Sequence, residues 1–340
     1  MTPRVQTTET SRTIGIDIGG TKILGVLLDA RRSTILERRQ IPTPRHDPAA
    51  LVGAVEAVVG DLQSAASGAG GSVAAIGVGV PGLVDNDGVL RYGPNVPGVL
   101  DLDLGRVLRD RFGLPTVAEN DGANAAVAEH RLGAARGSDH AIIITQGTGI
   151  GGGLIVNGRL LRGANGFAGE PGHMLVDADG PTCACGQRGC WEAVASGGGL
   201  ANLARMAIDA GHGARLLELA GGNPVNVRGE HVTRASDEGD THADEVIRVF
   251  AFWVAQGLGS LITLLDPEVV VLGGGLIAIS ERFLDDVRSQ VMQRVMGGRH
   301  RPAVPIVAAE LGTEAGAIGG ALVAWDLVAP KSAGSSGRAD

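Results

Sequence analysis

One histidine and three cysteines stand close together in the chain: His173, then Cys183-Ala184-Cys185-Gly186-Gln187-Arg188-Gly189-Cys190-Trp191-Glu192. Three thiolates and one imidazole are the four ligands of a closed tetrahedral zinc site, and the glycines let the chain reverse tightly between them. With no ligand position left for water, a zinc ion on His173, Cys183, Cys185 and Cys190 is expected to be structural rather than a Lewis acid at a reacting bond. The three cysteines are the whole complement of the 340 residues and cannot pair completely, which argues against a secreted disulfide framework and for a reducing cytosol.

A second kind of chemistry is carried by glycines. Asp17-Ile18-Gly19-Gly20-Thr21-Lys22 lies between two apolar strands, so it turns a hairpin and is not the strand-to-helix turn of a P-loop or dinucleotide fingerprint. Adjacent glycines let the backbone approach a polyphosphate closely with its amides as donors. Thr21 adds a hydroxyl, and Asp17 could hold a hydrated magnesium ion that bridges the phosphates. Alone, such a turn is an ordinary hairpin. However, Gln146-Gly147-Thr148-Gly149-Ile150-Gly151-Gly152-Gly153 again joins two apolar strands. One glycine hairpin in each half of the chain is the layout of a duplicated nucleotide fold, in which two domains clasp the phosphates. Val269–Leu272, a β-branched strand, then runs into Gly273-Gly274-Gly275.

These loops resemble the two phosphate loops and the adenosine loop of the sugar-kinase, heat-shock ATPase and actin superfamily. His173 with the Cys-x-Cys-Gly-x-x-Gly-Cys-x-Glu run resembles the signature of the ROK family (repressors, open reading frames, kinases). The resemblance extends through Asp17–Lys22, Asn120-Asp121, Gln146–Gly153, Glu170–His173 and Val270–Gly275, nearly the whole chain. It implies an α/β, two-domain actin-like ATPase fold (ribonuclease H-like) with an interdomain cleft, and an ATP-dependent, magnesium-requiring hexose kinase. Phe167–His173 resembles the bacterial glucokinases of the family, so the implied reaction is glucose to glucose 6-phosphate.

The implied nucleotide contacts are Asp17, Gly19, Gly20, Thr21, Lys22, Gly147, Thr148, Gly149, Gly273, Gly274 and Gly275. The family's base is the Asp of a Glu-Asn-Asp run, here Glu119-Asn120-Asp121. Asp is also a common N-cap where a strand opens into a helix, but the surrounding motif favours catalysis by Asp121. A carboxylate beside the attacking hydroxyl suffices for this task, and its pKa need not be raised. The implied sugar contacts are Asn95, Asn120, Asp121, Glu170, His173 and Glu192, with Glu170 and Glu192 on the anomeric side. His173 would use one ring nitrogen on zinc and offer the other to the sugar, so loss of zinc is expected to weaken sugar binding as well as folding.

Alternatives stay open within this frame. Val99 follows Pro94-Asn95-Val96-Pro97-Gly98 where many relatives have tryptophan, which leaves N-acetylmannosamine, allose or fructose as possible substrates. Some relatives use polyphosphate instead of ATP, but those generally lack the cysteine cluster. A ROK repressor would need a winged-helix module ahead of the first strand, and about a dozen residues are too few for one.

The elements that must position these groups follow from periodicity. Apolar strand-length runs alternate with helical patterns: strands at Ile14–Ile18, Ile23–Leu28, Val73–Val80, Thr116–Glu119, Ala141–Thr145, Gly152–Val156, Val269–Leu272 and Val304–Ala308. Helices are expected near Asp47–Ala65, Leu104–Phe112, from Asp121, Asp244–Leu265 (before Pro267), Glu281–Val295 and Glu314–Trp325. The segment Ala210–Thr241 reads as a loop-rich connection. Domains are expected at 12–118, joined by a C-terminal helix at 314–328, and at 119–313, with loose tails at 1–11 and 329–340.

Charge and hydropathy bound the rest. With 29 Lys+Arg against 37 Asp+Glu the net charge is -8, which argues against a nucleic-acid partner but not against a small anionic ligand. The N-terminus has no apolar leader, and the long apolar runs are broken by Gly, Gln or Asp before membrane-spanning length, so a cytoplasmic protein with no membrane partner is expected. The family resemblance implies a homodimer or homotetramer.

Overall fold

A computed structural model describes residues 11–44, 47–93 and 101–330. Asn95 and its Pro94–Gly98 surroundings lie outside the described residues, as do most of the two tails. Of the tails, Ser11 and Ala329 are held in place: Ser11 Oγ donates to Asp29 (2.8 Å), and the Ala329 amide to the Trp325 carbonyl (2.8 Å).

The described residues form two compact units, one running up to Asn120 and resuming at Ala317, the other from Asp121 to Gly316. In chain order the first contains β1 (Arg12–Ile18), β2 (Lys22–Asp29), β3 (Thr34–Pro42), α1 (Pro48–Gly68), β4 (Ala75–Val80), β5 (Leu83–Val84), β6 (Leu90–Tyr92), α2 (Leu104–Phe112) and β7 (Thr116–Asn120). The second contains α3 (Asp121–Leu132), β8 (Ala141–Gln146), β9 (Ile150–Val156), β10 (Arg159–Leu160), α4 (Glu192–Ala195), α5 (Gly197–Asp209), α6 (Ala214–Leu219), α7 (Gly229–Asp237), α8 (Thr241–Leu265), β11 (Val269–Gly273), α9 (Leu284–Val291) and β12 (Ile306–Ala308). The chain then returns to the first unit along α10 (Ala315–Val328).

Each unit is built on a five-stranded sheet, ordered β3-β2-β1-β4-β7 in the first and β10-β9-β8-β11-β12 in the second. The strand senses repeat as well: an antiparallel three-strand meander, then two parallel strands added beside the first strand of the meander. The inner strands are continuous apolar runs because both faces are covered.

In the first unit α1 covers one face. Asp47 caps it by accepting the Ala49 and Ala50 amides (2.9 and 3.1 Å), Pro48 opens the first turn, and Leu51, Val55, Val58, Val59 and Leu62 are buried. On α10 the chain comes backbone to backbone with the sheet: a Cβ on Gly15 would collide with the Ala317 carbonyl, and one on Gly77 with that of Gly320. Thr13 Oγ1 donates to the Ala321 carbonyl (2.9 Å) in the same seam.

The core of the second unit is α8, capped by Asp240 on the Ala243 amide (2.8 Å) and ended by Asp266 in a left-handed conformation before Pro267. Trp191 is fully buried against Gly257 and donates to the Trp253 carbonyl (2.8 Å). By length and composition α1 and α8 could each cross a bilayer, contrary to the expectation that no apolar run reaches that length. The apolar residues of α8 are mostly buried in the core of its unit, and those of α1 face its sheet.

Three further expectations are corrected. The segment Ala210–Thr241 is largely helical, because Leu216, Val232 and Ala235 turn into the core around α8 from helices too short to show a period. The helix expected over Glu281–Val295 is a 3-10 stretch at Gly275–Arg282 and then α9. The break falls at Phe283, whose ring stands edge-on to Phe250 (5.1 Å) in the core. A strand that was not anticipated, β3, is a sheet edge carrying Glu37, Arg38 and Arg39, as solvent-facing edge strands do.

Candidate active site

The Cys/His cluster is assembled by tight reversals after a short 3-10 turn at Pro171–His173. The Cys183 amide donates to the Gln187 carbonyl (2.8 Å) and the Gly186 amide to that of Cys183 (3.0 Å). Gly186 and Gly189 sit at φ 89° and 79°, where a side chain would strain the backbone, and a Cβ on Gly189 would strike the Asp177 carbonyl. The result places one ligand atom each from His173, Cys183, Cys185 and Cys190 within 4.8 Å of one another.

Two edges of that tetrahedron are measured: His173 Nδ1 to Cys183 Sγ is 3.7 Å, and Cys185 Sγ to Cys190 Sγ is 3.7 Å. Zinc–sulfur bonds of about 2.3 Å in tetrahedral geometry require edges of about 3.8 Å, so the donor set fits such an ion. Burial, with the Glu192 carboxylate beside it, pushes the Cys183 thiol up, and burial does the same at Cys190, so neither is a thiolate without a cation to stabilise it.

Next to the cluster lies a group of carboxylates. Asp121 opens α3 and turns its Oδ1 onto the Gly122 amide (2.9 Å). Burial pushes its carboxyl above the usual range despite that bond. Glu170 is pushed up to about 7, first by burial and then by the charges of Asp121 and Glu192. Glu192 reaches three ways: its Oε1 accepts from Cys183 Sγ (2.9 Å) and lies 3.8 Å from His173 Nδ1, while its Oε2 accepts the Ile150 amide (3.2 Å).

Four of the six expected sugar contacts, Asp121, Glu170, His173 and Glu192, therefore come together although 71 positions separate the first from the last, counting 121 to 192. Asn120 ends β7 with its Nδ2 donating to the Gly82 carbonyl (3.0 Å), and Asn95 lies outside the described residues.

Both glycine runs are hairpins, as expected. In the first, Gly19 N–H closes onto the Lys22 carbonyl (2.9 Å), leaving Gly20 and Thr21 exposed at the tip. Thr43, which the sequence did not flag, holds this turn twice, through its amide on the Thr21 carbonyl (3.1 Å) and its Oγ1 on that of Gly19 (2.7 Å). In the second, Gly147 N–H closes onto the Gly149 carbonyl (2.9 Å) and Thr148 is exposed. Asp17 is the last residue but one of β1 and Lys22 begins β2, on either side of the first turn. Gly273 ends β11, Gly274 adopts φ 84°, and Gly275 enters the 3-10 stretch.

Also missed was Ser196-Gly197-Gly198-Gly199, where the Gly197 amide donates to the Gly147 carbonyl (2.8 Å) and the Gly198 amide to that of Thr148 (3.1 Å). A run of three glycines behind a helix-capping serine was the available signal.

Two sheets of one strand order, each with a glycine hairpin between the first two strands of its meander, define an α/β protein of the actin-like ATPase fold class. The ROK family pattern matches residues 13–326. The glucokinase of Streptomyces coelicolor is 37% identical over 314 residues, covering 91% of this chain and 96% of that protein. The N-acetylmannosamine kinase of Salmonella arizonae is 35% identical over 317 residues, covering 92% and 98%. Among solved structures, a ROK family glucokinase from Streptomyces griseus in complex with glucose and AMPPNP has a TM-score of 0.80 and 38% identity, with 93% of this chain and 99% of that one covered. The chain belongs to the ROK family and has its two-domain actin-like fold.

Proposed function

We propose that this protein is an ATP-dependent hexose kinase that converts glucose to glucose 6-phosphate, with Asp121 as its base. The observation that supports the role of Asp121 is its half-buried carboxyl at the start of α3, pushed above the usual range and beside Glu170 in the carboxylate group. Asp121 takes the proton of the sugar hydroxyl as that oxygen bonds to the γ-phosphorus and the bond to ADP breaks. Burial makes this carboxylate more basic than usual, so it holds the transferred proton better than one in water.

Glu170 and Glu192 hydrogen-bond sugar hydroxyls. Glu170, titrating near neutrality, both donates and accepts. Asn120 and Asn95 complete the hydroxyl contacts. His173 turns Nδ1 toward Cys183, which leaves Nε2 for the sugar. A zinc ion on His173, Cys183, Cys185 and Cys190 would lock the imidazole's orientation and tautomer. Magnesium accompanying ATP, near Asp17, would neutralise phosphate charge.

The nucleotide contacts in this reading are the amides and side chains of Gly19–Lys22 and Gly147–Gly149 on the phosphates, with Gly273–Gly275 on the adenosine side. The reading includes a cytoplasmic enzyme assembled as a homodimer or homotetramer. The likeness to an N-acetylmannosamine kinase favours that sugar as the second reading.

The test is ADP release from Mg-ATP with glucose, mannose, fructose, allose and N-acetylmannosamine, and from polyphosphate as rival donor. Glucose with ATP is expected to give the highest kcat/KM. No turnover with any sugar by metal-loaded protein would remove the kinase reading.

A further inference from the structure

The segment that leaves the Cys/His cluster runs directly behind the second glycine hairpin and contacts every residue of it. Gln146, buried at the hairpin's start, donates from Nε2 to the Ala195 carbonyl (2.9 Å). The Gly147 and Thr148 carbonyls take the amides of Gly197 and Gly198 (2.8 and 3.1 Å). A Cβ on Gly149 would meet Glu192 Oε2 at 2.5 Å, and the Ile150 amide donates to that same oxygen (3.2 Å). Residues 146–150 are thus held by residues 192–198, which begin two positions after Cys190, and the same Glu192 accepts from Cys183 Sγ.

The geometry has a directional consequence. In a trans peptide the carbonyl and the following amide point opposite ways. Pinning the Gly147 and Thr148 carbonyls onto Gly197 and Gly198 therefore directs the Thr148 and Gly149 amides away from that segment. Amides fixed in direction are what a phosphate-binding turn needs, because they need not reorganise when the anion arrives.

We propose that Glu192–Gly198 is a strut through which order in the Cys/His cluster sets the nucleotide affinity of the hairpin, with Gln146 as its positioning residue. This rests on the reading of Gly147–Gly149 as a phosphate turn. The cluster then serves the nucleotide as well as the sugar, and Gln146 acts on binding without touching the nucleotide.

The experiment titrates Mg-ADP and glucose separately into metal-loaded protein, into chelator-treated protein that remains folded by circular dichroism, and into metal-loaded Gln146→Met, which keeps the side chain's shape and removes its donor. Removing the metal should weaken Mg-ADP at least about tenfold and speed amide exchange over 147–150, with 18–23 unchanged. Gln146→Met should weaken Mg-ADP and raise the ATP KM about fivefold, the scale of one buried hydrogen bond, with glucose affinity, metal content and kcat within about twofold of the parent.

Unchanged Mg-ADP affinity in either folded sample overturns the proposal, as does a metal-free protein that loses glucose affinity alone. Should Gln146→Met not fold, the chelator arm decides. Metal-loaded parent protein that binds glucose but no Mg-ADP would instead remove the phosphate-turn reading itself.

Discussion

In the first unit the turn between β1 and β2 lies beside β3, an edge strand of nine residues, and Thr43, just past the end of that strand, reaches the turn with its amide and its hydroxyl. In the second unit the corresponding edge strand, β10, has two residues and pairs with β9 at Ile155 and Val156, the end away from the turn. Among the described residues no strand reaches Gly147–Gly149 on that side, and the segment that follows the cysteines supplies the contacts instead. Two hairpins of one topology thus draw their order from different sources, the first from its own sheet and the second from a cluster suited to a metal ion. The difference teaches that a duplicated sheet does not duplicate what stabilises its loops, so the two hairpins should respond to different perturbations.

The largest expected effect separates the carboxylates of the two units. Asp121→Asn should lower kcat by about 10²- to 10⁴-fold with nucleotide affinity retained, the scale of a lost general base. Asp17→Asn should instead shift the magnesium dependence and the ATP KM. A steady-state series in which Asp17→Asn lowers kcat as far as Asp121→Asn, with no change in magnesium dependence, would break the division.

Next comes the integrity of the first sheet. Gly15→Ala places a methyl against the Ala317 carbonyl and should cost about 3 kcal/mol, the upper end of overpacking. Amide exchange should quicken in β1 and β2 and stay slow in β8 and β11. Equal acceleration in both sheets would show that the units do not open separately.

A smaller effect is confined to the second unit. The Glu170 carboxyl is raised from an ordinary 4.5 to about 7, so the folded state favours its protonated form. The stability this contributes is complete below about pH 4.5 and is lost as pH rises through about 7. Glu170→Gln should remove that loss, so parent and variant melting temperatures should diverge between pH 5 and 8 with the variant higher at the alkaline end. Parallel melting curves across that range would show that Glu170 is not destabilised by its charge.

The smallest effect sharpens the contrast itself. Thr43→Val deletes the hydroxyl bond to Gly19 and keeps the amide bond to Thr21. It should raise the ATP KM about twofold to fivefold, and its effect should add to that of metal removal, because each hairpin is braced from within its own unit. Strong coupling between the two changes in a double-perturbation cycle would argue that one device holds both turns.

The parts of this arrangement visible in sequence are those whose signal is local. Val269–Leu272 is an uninterrupted apolar run because both faces of an inner parallel strand are covered, and Ile14–Ile18, broken by Asp17 alone among charged residues, lies on the central strand of the other sheet. The cysteine spacing names its own chemistry. By contrast, β3 alternates exposed and half-buried residues along a charged edge, so no apolar run marks it. Helices α6 and α7, of six and nine residues, bury few side chains each. The raised carboxyls of Asp121 and Glu170 depend on burial and on neighbours dozens of positions away, and the bond from Gln146 to Ala195 spans 49 positions. Such properties arise only when the fold closes, and a linear pattern of residue types does not carry them.

The seam between α10 and the first sheet bears on how the protein is made. Thr13 Oγ1 and the Ala321 carbonyl are partners 308 positions apart, and the faces of Gly15 and Gly77 are filled by the backbone of that late helix. On the ribosome, β1 to β7 emerge first and wait with one face of their sheet uncovered while the whole of residues 121–316 is synthesised. The second unit, contiguous in sequence, can finish folding before the first. A cell that makes this chain therefore carries a half-covered β-sheet through most of each round of translation, a window in which exposed apolar surface and unpaired edges favour aggregation before the last helix arrives.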